Sequence, residues 1–337
     1  SWVENAMPGY MPQDPQAEFE AKTDLFSWMS TWTGKADDDQ LVRATLGRLR
    51  GGSTPTRRLW PDRARWAGRW PSGVATLALR VADGALIAVA AGPGAAEAIA
   101  LVPTLVGLDD HHRALIDARP PALARLARRS TGYRMGATGD LTGALLPAVL
   151  GQRVTAGEAH GAWTRMCWAY GEAAPSHPHL DRLIPDPDRL VVPPKPSVIA
   201  TLTAHELHGF GVERSRGDLM IGLARRASSL DQLVTRHPAA EVRRRLCTIT
   251  GLGPWTVSIA TRVAMGDPDA VLLGDLHLPS TVAWALAGEQ RADDQRMLEL
   301  LAPYAGQRAR VQQLIKLAGI RAPRRHHRYR PLPIARM

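Results

Sequence analysis

The residues from Leu246 to Ala260 hold the first chemistry the chain offers. A helical stretch ends before Gly251, two glycines flank Leu252, and Pro254 stands where a new helix can begin. Proline's missing N–H costs nothing in a first turn. Glycines let the backbone come close to another chain. The helix after them points free N–H groups and the positive end of its dipole outward, a site for an anion such as a phosphate. Leu252 is the side chain that would anchor such a turn in the core. The same residues also fit an ordinary corner between two helices. Further on, the apolar run Ala270-Val271-Leu272-Leu273 delivers Asp275 behind Gly274, ahead of a helix beginning near Leu278. A carboxylate there stays ionised near neutral pH and can oppose developing positive charge. It can equally cap the next helix.

The elements that must position these residues are mostly helical. From about Asp110 onward the pattern predicts helices over 121–129, 139–149, 156–170, 197–207, 216–227, 240–248, 255–265, 278–286, 295–301 and 309–317, joined by short Gly- and Pro-rich connections. The Pro-rich stretch 173–196 reads as an ordered loop over a surface. Before Asp110, Val74–Val81 alternates loosely, Asp83-Gly84 signals a hairpin, Leu86–Ala90 comes next as a strand, and Pro93 opens a helix to Ala100. The fold class is therefore mostly α with a small antiparallel β N-terminal domain. Four parts are expected: an acidic arm with Trp2, Trp28 and Trp32 over 1–52, the sheet domain over 53–112, a helical body over 113–323, and a basic tail over 324–337. Within the arm, 19–32 fits an amphipathic helix or a coil that orders on a protein partner. The run from Arg321 to Arg330 fits a solvated tail or a phosphate contact.

Composition narrows the function classes. The chain has 337 residues and is 45% hydrophobic, enough for one large or two ordinary cores, which excludes disorder throughout. No apolar run is long enough to span a bilayer, and no basic segment followed by an apolar block marks a secretory signal. The start at Ser1 without Met leaves room for an upstream segment. Cys167 and Cys247 are too few for a structural zinc or iron–sulfur site, so no metal site is expected and both thiols read as buried and reduced. Net charge is +10, yet residues 1–40 carry −6, which leaves +16 on the rest, almost all of it Arg because only four residues are Lys. That body suits a polyanionic partner, or reflects an Arg-rich bias.

Leu246, Gly251, Leu252, Gly253, Thr256 and Asp275 fill the pattern Leu-x-x-x-x-Gly-hydrophobic-Gly-x-x-Thr followed by an aspartate after a short apolar run. The chain thereby resembles the helix-hairpin-helix (HhH-GPD) DNA glycosylase superfamily, in particular its 3-methyladenine DNA glycosylase II branch. The resemblance extends outward. Ala148–Thr155 looks like the start of the helix whose residue plugs the gap in the DNA. Gly209–Arg216 looks like the turn before the long helix ahead of the hairpin. Asp294–Arg310 is similar to the closing helices, and 55–110 to the N-terminal domain. It covers roughly 55–323 and not the arm.

The resemblance implies two helical lobes flanking a cleft and a monofunctional glycosylase that flips an alkylated purine out of double-stranded DNA and hydrolyses its bond to the sugar. Asp275 would be the catalytic carboxylate. Gly251, Leu252, Gly253, Trp255 and Thr256 would contact DNA, the phosphate being held by backbone N–H groups, with Gln152 and Arg153 at the wedge. No cofactor is required; a monovalent cation at the hairpin carbonyls is implied. The enzyme would work in the cytoplasm at the nucleoid. Bifunctional relatives carry a Lys two positions after the second hairpin glycine; here Trp255 stands there, so no lyase step is expected. Trp255 fits a base pocket or packing within the hairpin helix. Ile259 and Lys316 replace the aromatic pocket residues of the alkylation enzyme, and Arg153 its apolar wedge. His277 fits a phosphate or carboxylate contact, or a solvent-facing side chain. Two other functions share these residues: a noncatalytic DNA-binding protein that keeps the hairpin, and a glycosylase-like body whose acidic arm docks to a protein.

Overall fold

Loose alternation in 74–81 has a structural cause: the strand it forms is covered on both faces. In the computed structural model, which describes residues 54–60, 63–82, 85–110, 133–185 and 189–323, four strands form an antiparallel meander: β1 (Arg57–Leu59), β2 (Arg63–Trp70), β3 (Gly73–Ala82) and β4 (Ala85–Ala91). Ala75, Leu77, Leu79 and Val81 point to one face, as the two-residue period of a strand requires, and pack with Ala98, Val102 and Leu105 of α1 (Ala95–Ala100) and α2 (Val102–Leu105). Ala78 and Ala91 lie with Leu180 and Ile184, while Ala67 lies with Leu190 and Val192. A strand buried on both faces reads as nearly continuous apolar sequence.

The second cover comes from the Pro-rich stretch, which lies ordered over a surface as expected but holds short regular elements as well as loop. Its first residue belongs to β5 (Glu172–Ala173), which pairs with β6 (Val191–Val192), and α5 (Pro178–Leu183) lies between them. Buried Leu180 and Ile184 each contribute about 1.5–3 kcal/mol of apolar transfer energy there. The buried Arg65 of β2 donates to the Asp181 carboxylate at 2.7 Å and to the Ile184 carbonyl at 2.8 Å, which fixes α5 over the sheet. The Asp83-Gly84 turn lies outside the described residues, but the strands on either side pair with Ala82 opposite Ala85.

The described residues fall into two compact units, one holding those up to Asp110 with 133–136 and 164–198, the other 137–163 and 199–323. The second unit carries the hairpin. The helices beyond the sheet include α3 (Leu141–Leu150), α4 (Ala156–Tyr170), α6 (Pro196–Ile199), α7 (Ala204–His208), α8 (Arg214–Ala224), α9 (Ala227–Arg236), α10 (Ala239–Leu246), α11 (Pro254–Met265), α12 (Leu278–Ala287), α13 (Asp294–Leu301) and α14 (Arg308–Leu317). α3 is buried nearly all round and packs against α11, α8 and α9. Val271, Val282, Met297, Leu301, Val311 and Ile315 form the core shared by α12, α13 and α14.

Two helix expectations need correction. The stretch 197–207 is two short helices, because Thr203 begins a new one: its hydroxyl accepts from the Glu206 N–H at 3.2 Å while the Glu206 carboxylate accepts from the Thr203 N–H at 2.7 Å. The helix expected over 216–227 ends at Ala224, and α9 starts as a separate element. The arm 1–52 with its 19–32 helix, the helix over 121–129 and the tail 324–337 lie outside the described residues. No described helix is long and apolar enough to cross a membrane.

Of the two cysteines expected to be buried, one differs. Cys167 is buried, and burial pushes its thiol up to about 12, whereas Cys247 is exposed at the end of α10. The thiolate is the reactive form. With maleimide at about pH 8, Cys247 should react in the native protein and Cys167 only after denaturation. Peptide mass spectrometry reads the site; native labelling of Cys167 would contradict the packing.

Candidate active site and nucleic-acid interface

The hairpin is built as its residue types dictate. α10 closes at Leu246, and Gly251 takes φ +91°, a left-handed conformation that side chains resist. A Cβ there would also lie 3.0 Å from Leu219 Cδ2. Leu252 is 4% exposed and pins the turn, its N–H donating to the Ile249 carbonyl at 3.0 Å. Gly253 is the cap of the next helix and offers it no capping side chain; Pro254 occupies the first turn of α11. The earliest intrahelical bond runs from Val257 N–H to Gly253 carbonyl, at 3.1 Å. The N–H groups of Trp255 and Thr256 therefore have no partner within the helix and form the positive end of its dipole.

Asp275 takes the capping position that is one of its two sequence readings, and its second oxygen meets the hairpin helix. One oxygen, Oδ1, accepts from the backbone N–H groups of His277 and Leu278, each at 2.9 Å, and so caps the start of α12. The other, Oδ2, accepts from Trp255 Nε1 at 3.4 Å. The half-buried carboxylate thus stands beside the first turn of the hairpin helix. The run that delivers it is held by polar groups on three helices. Ser258 Oγ donates to the Val271 carbonyl at 2.8 Å, Arg262 Nε donates to the Ala270 carbonyl at 2.7 Å, and the Asp294 carboxylate accepts from the Gly274 N–H at 2.7 Å. Gln312 of α14 accepts from Arg262 and from Leu272 N–H.

Charges lock the base of this run. Asp267, 3% exposed, pairs with Arg243 of α10, and Asp269 accepts from Gly306 N–H and from Arg308. Burial works to raise the Asp269 carboxyl, but the Arg308 hydrogen bonds and charge outweigh it and hold it below its ordinary value. Asp267→Asn should cost about 2 kcal/mol in urea unfolding, a discounted figure for removing one partner of a pair whose Arg243 end is partly exposed. A cost below a few tenths would contradict a structural role for this pair.

The segment 151–155 joins the same assembly. A Cβ on Gly151 would fall 2.9 Å from Trp255 Cη2, so the indole lies directly on that glycine. Gln152 Nε2 donates to the Gly251 carbonyl at 3.0 Å and to Thr256 Oγ1 at 2.9 Å. Its amide is thereby committed to the hairpin, which leaves Arg153 as the exposed side chain of the pair, on a backbone at φ +57°. Thr256 is buried and His277 exposed. Ile259 is half-buried one helical turn beyond Trp255, on the same side of α11. Lys316 is exposed in the last turn of α14. Among the described residues no three His, Cys, Asp or Glu side chains are grouped to hold a metal ion. Residues that sequence reading missed are Asp294, Arg216, and Leu276, which is 86% exposed between Asp275 and His277.

No family model matches the chain. Among solved structures, the 3-methyladenine DNA-glycosylase from Archaeoglobus fulgidus superposes with a TM-score of 0.63 at 13% identity, over 77% of this chain and 88% of that one. The Clostridium acetobutylicum 8-oxoguanine glycosylase/lyase in complex with dsDNA gives 0.54 at 11% identity, over 80% of this chain and 100% of that one. Its apo form gives 0.53 at 11% identity, over 79% and 99%. The fold is therefore that of the helix-hairpin-helix DNA glycosylases. A separate sequence match, 52% identical over 48 residues, is to a probable ATP-binding protein, YbiT, of Escherichia coli O157:H7. It spans 14% of this chain and only 9% of that protein.

Proposed function

We propose that the protein is a monofunctional DNA glycosylase that flips a damaged base, in the first instance an alkylated purine, from double-stranded DNA and hydrolyses its bond to the sugar. The observation that carries this reading is the Asp275 carboxylate 3.4 Å from the indole N–H of Trp255, in the first turn of the hairpin helix whose free N–H groups suit a phosphate. One nucleotide can meet both groups. Its phosphate is gripped at 253–256 while its sugar faces Asp275. As the C1′–N bond breaks, the electron pair leaves with the base and positive charge grows on the sugar. The fixed carboxylate opposes that charge and orients the water that adds to C1′; the water's proton passes to the carboxylate and on to the departed base or solvent. Alkylation makes a purine electron-poor, which suits stacking on an indole face. Such an enzyme acts where the chromosome lies, in the cytoplasm at the nucleoid.

Trp255 supports the hydrolytic, rather than lyase, assignment, because an indole cannot form a Schiff base. A monovalent cation fits this hairpin only through backbone carbonyls. The Gly251 and Ile249 carbonyls are already engaged by Gln152 and by the Leu252 N–H, so the carbonyls of Cys247, Thr248, Thr250 and Leu252 would hold the ion, which would supply positive charge for an anion.

The test is incubation with duplexes carrying 3-methyladenine, 7-methylguanine, hypoxanthine or ethenoadenine. Free base should appear, and the strand should break only after hot alkali. Breakage without alkali would overturn the monofunctional assignment, and no released base from any duplex would overturn the reaction class. Trp255→Phe keeps an aromatic ring in the first turn of α11 but removes the N–H, together with the outer edge of the indole that meets Gly151. Its single-turnover rate should fall about tenfold, the worth of one hydrogen bond to a charged group, with little change in thermal stability. An unchanged rate would show that this N–H does not position Asp275.

A further inference from the structure

Arg216 is a long cationic side chain, 6% exposed, in a helix where an apolar residue would pack at less cost. Its Nη1 donates to the Leu150 carbonyl at 2.9 Å, in the last turn of α3. That carbonyl belongs to the helix end, where acceptors lack intrahelical partners and the dipole is negative. Glu213 stands 3.9 Å from Nε, beyond hydrogen-bonding distance, and Nε is buried without a hydrogen-bond partner. Glu213 and Glu158 partly offset its burial through charge, while the hydrogen bond that fixes its direction goes to this one backbone oxygen.

The residues just beyond that oxygen give the contact its purpose. Gly151 lies under Trp255, and Gln152 is tied to Gly251 and Thr256. At the far end, Thr155 N–H and Oγ1 donate to Glu158 Oε2 at 2.8 and 2.7 Å. Between these fastenings lie Arg153 and Val154, and of the two Arg153 is the exposed one, in a left-handed backbone that a non-glycine residue adopts only when its surroundings impose it. We infer that Arg216 is a positioning residue: by clamping the end of α3 it holds Arg153 out as a cationic wedge, and so governs opening of the base pair rather than cleavage of the sugar–base bond. The inference rests on the glycosylase reading of the site.

The experiment uses full-length protein and a duplex with 2-aminopurine opposite and beside the damaged base, so that opening is read by fluorescence independently of excision. Arg216→Met and Arg153→Ala should each reduce the binding-induced fluorescence rise at least threefold, and the double variant should be no worse than either alone. In excision, Arg216→Met should lose about tenfold or more on a paired lesion and less than threefold on a lesion opposite an abasic analogue, where no partner base must be broken away. An equal loss on both substrates, or an unchanged fluorescence rise, overturns the inference. If Arg216→Met does not fold, Arg216→Lys, which keeps the charge and a donor, carries the same test. It should show the same substrate split in reduced size, and a uniform loss would refute the role. Failure of the wild type to release base from either duplex would sink the glycosylase reading instead, and the fluorescence arm would still judge Arg216.

Discussion

Asp275→Asn should leave the protein folded and lower single-turnover base release by on the order of 100- to 1000-fold, the usual cost of removing one preorganised electrostatic group. The substitution separates the cap the residue forms from the catalytic task proposed for it. Its Oδ1 caps α12 by accepting from His277 and Leu278, and an asparagine carbonyl oxygen can take both bonds. Thermal stability should therefore shift by less than about 1 kcal/mol. What asparagine cannot supply is the negative charge beside Trp255, which has value only while positive charge develops on the sugar. Asp275→Ala removes both functions and should add a stability loss of about 1 kcal/mol to the same kinetic defect. A large rate loss in the alanine variant with near-normal rates in the asparagine variant would make Asp275 a cap and no more.

Gly253→Asp should move stability and DNA binding in opposite directions. Gly253 caps α11 with φ −85° and ψ 168°, an extended conformation open to any residue, and a Cβ built there meets no atom within 4 Å. Aspartate is a better cap than glycine by a few tenths of a kcal/mol, and its charge complements the helix dipole. Melting temperature should hold or rise. The new carboxylate, however, takes the N–H groups offered to phosphate and repels the anion. Duplex affinity should fall at least about tenfold, and the slope of log affinity against log salt should shrink by about one phosphate contact. Filter binding across a salt series measures both. A stabilised variant with unaltered affinity would mean that this corner is a helix junction without a phosphate.

The parts of this site that were legible in the sequence are those where backbone chemistry restricts residue type. Gly251 needs its positive φ and Pro254 needs a first turn, so the hairpin is written in a short stretch. The capping pair Thr203 and Glu206 is equally local, and its signal is present in the sequence even though the apolar pattern runs through it as one helix. Long-range ties leave no such mark. Gln152 reaches the hairpin from far along the chain, Arg216 reaches Leu150, and Asp294 reaches Gly274, each through one side chain whose type permits many other partners. The Pro-rich stretch conceals its packing role for a different reason. Its prolines signal loop, while Leu180, Ile184, Leu190 and Val192 are too scattered to show a period, although together they bury the sheet's second face.

The most direct measurement compares binding of two uncleavable duplexes, one with a tetrahydrofuran abasic nucleotide and one with a pyrrolidine nucleotide that carries a positive charge near the sugar's reactive carbon. If Asp275 faces the sugar of a nucleotide held by the hairpin, the wild type should prefer the cationic duplex by at least about tenfold, and Asp275→Asn should bind both alike. Equal affinity of the wild type for the two would place the carboxylate away from the nucleotide and contradict its catalytic role.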